Sequence, residues 1–167
     1  YQEGMTGFDR FMEILEVEPD ICDAPGAAEL GHAEGKVEFR QVSFKYKDDH
    51  REVLTDLSLT IESGEYVAIV GPSGVGKTTL CSLIPRFYEV SGGTILLDGK
   101  DIRGLTLRSL RRNIGIVQQD IYLFAGTVMD NIRYGNVEAT REEVIEAAKK
   151  AHAHDFIIGL PDGYDTD

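Results

Sequence analysis

The residues Gly71-Pro72-Ser73-Gly74-Val75-Gly76-Lys77-Thr78-Thr79 carry the clearest chemistry in the chain. They fit Gly-x-x-x-x-Gly-Lys-[Ser/Thr], a pattern that grips phosphate. Its glycines let successive backbone N–H groups converge on phosphate oxygens without Cβ atoms in the way. A helix starting near Gly76 adds free N–H groups and the positive end of its dipole. Lys77 brings a point charge to β- and γ-phosphates, and the Thr78 hydroxyl is of the type that ligates Mg²⁺. The ligand class is therefore a nucleoside triphosphate with Mg²⁺. Ser73, Gly74, Val75, Gly76, Lys77, Thr78 and Thr79 are the candidate binding residues. Such a loop alone serves GTPases, small-molecule kinases and transport ATPases. The chain has no Asn-Lys-x-Asp guanine reader, which disfavours the first.

The elements around the loop fit it. Tyr66-Val67-Ala68-Ile69-Val70 is continuously apolar, as a parallel strand buried on both faces reads. Residues 77–88 suit a helix ended at or soon after Pro85. Upstream, Val37 and Phe39 alternate, and Val42, Phe44 and Tyr46 alternate in the opposite phase. That slip predicts a bulge near Gln41. Leu57, Leu59 and Ile61 predict another strand, before a turn at Ser63-Gly64. Ile95–Leu97 and Ile114–Val117 are two further short strands. Thr140-Arg141-Glu142-Glu143 is a capping box that opens a helix through about Phe156. The fold class is α/β: a phosphate-loop core whose first half is antiparallel.

At the N-terminus, Met5, Phe8, Met12 and Leu15 form an amphipathic stripe, so a helix is expected over 1–18, stopping before Pro19. Residues 19–35, rich in Pro, Gly, Ala and acids, read as a linker.

With 167 residues and 42% hydrophobic content, the chain can build one domain with a real core. No apolar run approaches the ~18 residues that span a membrane. The net charge of -12 sits in the flanks. Residues 1–35 carry nine acids and one base, residues 151–167 four acids and no base, and the stretch between is balanced. A nucleic-acid binder normally shows a basic field, so that class is disfavoured. Cys22 and Cys81 match no metal spacing and read as reduced thiols. His152 and His154, two apart on the expected helix, point away from each other and make no metal site.

Two further segments discriminate among the loop's users. Phe44-x-Tyr46 lies about 30 residues before Lys77, and Ile114-Gly115-Ile116-Val117-Gln118-Gln119-Asp120 follows it. With these, the sequence resembles the nucleotide-binding domain of ABC transporters of the exporter type. Phe124-Ala125-Gly126-Thr127-Val128-Met129-Asp130-Asn131-Ile132-Arg133-Tyr134-Gly135, Pro85-Arg86-Phe87-Tyr88 and Leu160-Pro161-Asp162-Gly163-Tyr164-Asp165-Thr166 are similar to exporter phrases. The likeness covers essentially the whole chain.

It implies that ATP is the nucleotide and that Tyr46 stacks on adenine. It implies that Gln119, in the Q-loop over 117–124, reaches Mg²⁺ and the attacking water. Lys77 and Gln119 are then the catalytic candidates, Thr78 and Gln119 the metal ligands, and residues 125–167 the start of the helical subdomain. Helix 1–18 would follow a membrane domain lying upstream. The partners implied are that domain and a second nucleotide-binding domain, in a homo- or heterodimer at the cytoplasmic face of a membrane.

The family's LSGGQ-type signature, Asp-Glu strand end and switch histidine normally follow the phrase that ends at Asp167. Ser91-Gly92-Gly93 lacks the following Gln and comes too soon after Lys77 to be that signature. Asp98-Gly99 reads as a hairpin turn, not a metal-binding strand end. The expectation is a chain that binds Mg-ATP weakly and does not turn it over. The competing readings are a cytosolic phosphate-loop kinase or GTPase, and a regulatory module that never hydrolyses.

Overall fold

A computed structural model describes residues 11–12, 17, 19–47, 52–118 and 122–167. Of the expected helix over 1–18, only Phe11 and Met12 fall within the described residues as helix. The chain divides into two compact units, Tyr1–Ile116 and Val117–Asp167.

The first unit is built on a four-stranded antiparallel sheet in the order β2-β1-β3-β4. Its strands are β1 (Val37–Phe44), β2 (Leu54–Ile61), β3 (Gly92–Leu97) and β4 (Lys100–Asp101). The alternation read from sequence sets the register: Val37 faces Ile61, Phe39 faces Leu59, and Phe44 faces Leu54. The phase slip is a bulge. Gln41 takes φ 51, and the ladder is irregular between Phe39 and Val42. The slip leaves Phe39, Val42 and Phe44 all buried although they fall in opposite phases.

Opposite the bulge, Gly93 has φ +77, and a Cβ there would lie 2.2 Å from the Gln41 carbonyl oxygen. Only glycine lets the two strands close at this point. Helix α1 (Lys77–Leu83) packs Leu80 and Leu83 into the core with Phe39, Val42, Phe44, Ile95 and Leu97. Helix α2 (Leu107–Arg112), capped by the Thr106 side chain, adds Leu110.

Two expected strands are absent. Tyr66–Val70 and Ile114–Val117 make no ladder, and Tyr66 and Val117 are fully exposed. A strand buried on both faces exists only when neighbours supply its hydrogen bonds and cover. Among the described residues no strand lies beside either run. Their apolar character remains, without the partners that would make it structural.

Residues 19–35 are also more ordered than their composition suggests. The Ala28 N–H donates to the Gly104 carbonyl (2.8 Å), and Ala28 carbonyl accepts from Thr106 N–H (3.0 Å). The Leu107 N–H donates to Asp23 (2.7 Å), Leu30 N–H to the Ser109 hydroxyl (3.0 Å), and Ala33 N–H to Asn113 (2.9 Å). This stretch is a strap laid along α2.

In the second unit, α3 (Val128–Arg133), α4 (Arg141–Lys150) and α5 (His154–Ile158) enclose Met129, Val144, Ala148, Ile157 and Tyr164. Capping boxes open both α3 (Thr127, Asp130) and α4 (Thr140, Glu143). The single helix expected from Thr140 to Phe156 is two, broken where His152 takes φ 56. His152 and His154 therefore do not share a helix. His154 instead shares a 2.9 Å hydrogen bond with the Tyr164 hydroxyl. No helix among the described residues is long and apolar enough to cross a membrane.

Candidate nucleotide site

The phosphate loop opens α1. Gly76 is the N-cap in the left-handed region (φ 91, ψ 14), with no capping side chain. A left-handed N-cap explains the glycine: a Cβ there would be strained and would press on Val53 Cγ1 at 2.8 Å. Ser73, Gly74 and Val75 are exposed on the loop. Lys77 folds back along it, its Nζ donating to the carbonyls of Gly71 (2.9 Å) and Pro72 (2.7 Å). The ammonium thus sits against its own loop. Thr78 is exposed, whereas Thr79 is buried.

Tyr46 follows the end of β1. Phe44 and Tyr88 stand nearly perpendicular to its ring, with centroids 4.9 and 5.2 Å away and interplanar angles of 84° and 89°. Edge-to-face aromatic pairs of this kind contribute about 0.5–1.5 kcal/mol each. Its hydroxyl shares a 2.8 Å hydrogen bond with Thr79 Oγ1. The structure thus brings Tyr46 to the phosphate-loop helix, joining two candidates that stand 33 residues apart. A cavity of ≈ 310 Å³ lies alongside, lined by Ile21, Phe44, Tyr46, Phe87 and Tyr88, with the charged Asp20, Lys45, Lys47 and Glu89. Gln119 lies outside the described residues.

Sequence reasoning assigned no role to Tyr88 or to the turn that holds it. Arg86 takes φ 54, is 5% exposed, and pairs with Glu89. From α2, Arg111 donates to the carbonyls of Pro85 (3.0 Å) and Arg86 (2.9 Å), and its guanidinium lies 5.3 Å from the Phe87 ring centre. The phrase Pro85-Arg86-Phe87-Tyr88 was a signal without a role, and Arg111, 25 residues beyond Arg86, gave none.

The donor set fits Mg-ATP. No cluster of three or more His, Cys, Asp or Glu residues that could hold a metal occurs among the described residues. The loop offers two exposed hydroxyls, Ser73 and Thr78, and Thr78 adjoins Lys77. Mg²⁺ is commonly held by few protein groups, with phosphate oxygens and waters completing its shell.

Asp98 has a different task. Its carboxylate accepts from three consecutive N–H groups, Glu34 (2.8 Å), Gly35 (3.0 Å) and Lys36 (2.8 Å). It is an anchor at the β3–β4 turn, where Asp98 (φ 50) and Gly99 (φ 76) both lie in the left-handed region.

Comparison with known proteins places this fold in a family. The family model described as "ABC transporter" matches residues 54–163. An uncharacterized ABC transporter ATP-binding protein of Bacillus subtilis is 50% identical over 99% of the chain, which covers 29% of that protein. An ATP-dependent lipid A-core flippase of Syntrophus aciditrophicus is 53% identical over 99% of the chain and 27% of its own length. A solved structure of a bacterial Atm1-family ABC exporter with ATP bound superposes with a TM-score of 0.87 at 44% identity, over 99% of the chain and 29% of that protein. The chain therefore spans less than a third of the length of these relatives.

Proposed function

The chain belongs to the ABC transporter family, and from that premise we propose that it is the nucleotide-gripping part of an exporter's ATPase domain. In this reading ATP binds with its phosphates in the loop 71–79 and its adenine on Tyr46. Hydrolysis in a dimer of such domains, at the cytoplasmic face of a membrane, drives export through an upstream membrane domain. The observation that supports the reading is the bond joining Tyr46 to Thr79, which brings the ring proposed to stack on the base to the helix that the phosphate loop opens.

The residues divide the work. Backbone N–H groups of the exposed loop and of the first turn of α1 receive phosphate oxygens. Lys77 leaves the Gly71 and Pro72 carbonyls and pairs with the β- and γ-phosphates. Tyr46, clustered with Phe44 and Tyr88, supplies a π-face that binds a base without hydrogen-bond readout. Thr78 and, by family likeness, Gln119 would hold Mg²⁺, which offsets phosphate charge when bound. Gln119 would also orient the attacking water. The strap 19–35 then links the membrane domain to the nucleotide domain.

Titration calorimetry with Mg-ATP tests this. The purified chain should bind ATP, and Lys77→Ala should weaken binding by at least tenfold. It should release phosphate no faster than the Lys77→Ala variant. Steady release that Lys77→Ala abolishes would mean that the chain carries a complete hydrolytic site. Unchanged affinity in Lys77→Ala would remove the loop from the reading.

A further inference from the structure

The Tyr46 hydroxyl is more than the polar tip of a stacking ring. We propose that the Tyr46 hydroxyl and Thr79 form a registry bond that fixes the base platform at a set distance from the phosphate loop. Both ends of one nucleotide are then gripped as a unit. The inference rests on the ATP-binding reading and names a positioning role within it.

The geometry makes the case. Stacking requires only a π-face, and a phenylalanine has one. The structure instead directs the hydroxyl to Thr79 Oγ1 at 2.8 Å. Thr79 is 6% exposed, so its hydroxyl must find a partner. A helical threonine can satisfy itself on the carbonyl one turn back. This one bonds to a residue from another element, across 33 positions of sequence.

Phe44 and Tyr88 pack against the ring and, 5.7 Å apart, against each other, closing a three-ring cluster. Apolar edge contacts tolerate sliding along the ring's long axis, whereas a hydrogen bond at its far end does not. The bond runs to the first turn of α1, the turn that carries Lys77 and Thr78. Movement of the platform is therefore movement of the phosphate grip. Pre-setting the distance between two contact regions raises affinity by lowering the ordering cost of engaging both at once.

The test compares Tyr46→Phe, Thr79→Val, Thr79→Ser and the double variant Tyr46→Phe/Thr79→Val with the unsubstituted chain. Calorimetry reads Kd for Mg-ATP and for inorganic tripolyphosphate, and urea unfolding reads the midpoint. Tyr46→Phe should weaken ATP by about 5–10-fold, the size of one net hydrogen bond, while tripolyphosphate changes less than twofold. Thr79→Ser keeps the hydroxyl and should lose less ATP affinity than Thr79→Val. The double variant should lose no more ATP affinity than the weaker-binding single.

Tyr46→Phe binding ATP within twofold of the unsubstituted chain overturns the proposal. So do equal losses for ATP and tripolyphosphate, or additive losses in the double variant. Failure of the unsubstituted chain to bind ATP overturns the functional reading instead. The urea midpoints then still decide the bond: a double variant no less stable than the worse single supports it, and additive shifts refute it.

Discussion

Replacing Asp98 separates its anchoring role from a metal-binding one. Asp98→Ala removes the acceptor of three N–H groups, two exposed (Glu34, Gly35) and one part-buried (Lys36). Water replaces the acceptor well at the exposed pair, so each contributes only about 0.5 kcal/mol, whereas the Lys36 bond to a charged oxygen is nearer 1.5 kcal/mol. Alanine at φ 50 adds a backbone cost of about 1 kcal/mol. The sum is roughly 3–4 kcal/mol, which for a chain of this size lowers Tm by about 10 °C. Asp98→Asn keeps one carbonyl oxygen and a side chain that tolerates the left-handed region, so its cost should be about 1–2 kcal/mol. Urea unfolding of the two variants, followed by circular dichroism, gives both values, and calorimetry with and without Mg²⁺ gives ATP affinity. Asparagine should leave the Mg²⁺ dependence of ATP binding unchanged. A stable Asp98→Asn variant that loses Mg²⁺-dependent affinity would refute the argument and make Asp98 a metal ligand. Equal destabilisation by Asn and Ala would show that charge, not acceptor geometry, holds the strap.

Gly93→Ala drives a Cβ to 2.2 Å from the Gln41 carbonyl oxygen at a positive φ, so β1 and β3 must part. The expected loss is about 3–5 kcal/mol, and a urea midpoint within experimental error of the unsubstituted chain would show that the bulge can absorb the methyl. In the second unit, hydrogen bonding from Arg141 holds the Asp165 carboxyl below its ordinary value of 3.8. A depressed folded value means that stability is present above pH 3.8 and is lost as pH falls through the lower folded value. Asp165→Asn should flatten that part of an acid titration followed by circular dichroism, and an unchanged acid profile would assign the loss elsewhere.

The sequence was most legible where one residue's backbone needs or a short spacing decide the structure. The phosphate loop stands where the glycines and Lys77 place it, and the Gln41 bulge follows from the slip between Phe39 and Val42. Thr140 and Glu143 set the start of α4. Its end was misjudged because His152 breaks the helix with a positive φ, a conformation that histidine rarely announces. The strands expected at Tyr66–Val70 and Ile114–Val117 failed for another reason. An apolar run encodes a demand for partners, and the described residues do not supply them. The strap over 19–35 was hidden because its bonds reach Asp98, Ser109 and Asn113, 63 to 82 positions away. The Tyr46–Thr79 bond is equally long-range. Both residues were singled out for separate tasks, and only the structure shows that a hydrogen bond joins them.

The open run Tyr66–Val70 also governs how this chain behaves in a tube. Among the described residues it pairs with no strand, and its apolar side chains are exposed, the arrangement that seeds edge-to-edge association. The acidic ends oppose this: a net charge of -12 makes molecules repel before the sticky edges meet. Repulsion of that kind fades with added salt and vanishes near the pI of about 4.7. Colloidal stability is thus set by the flanks and threatened by the exposed run 66–70, so dilute, low-salt, mildly alkaline buffer keeps the molecules apart.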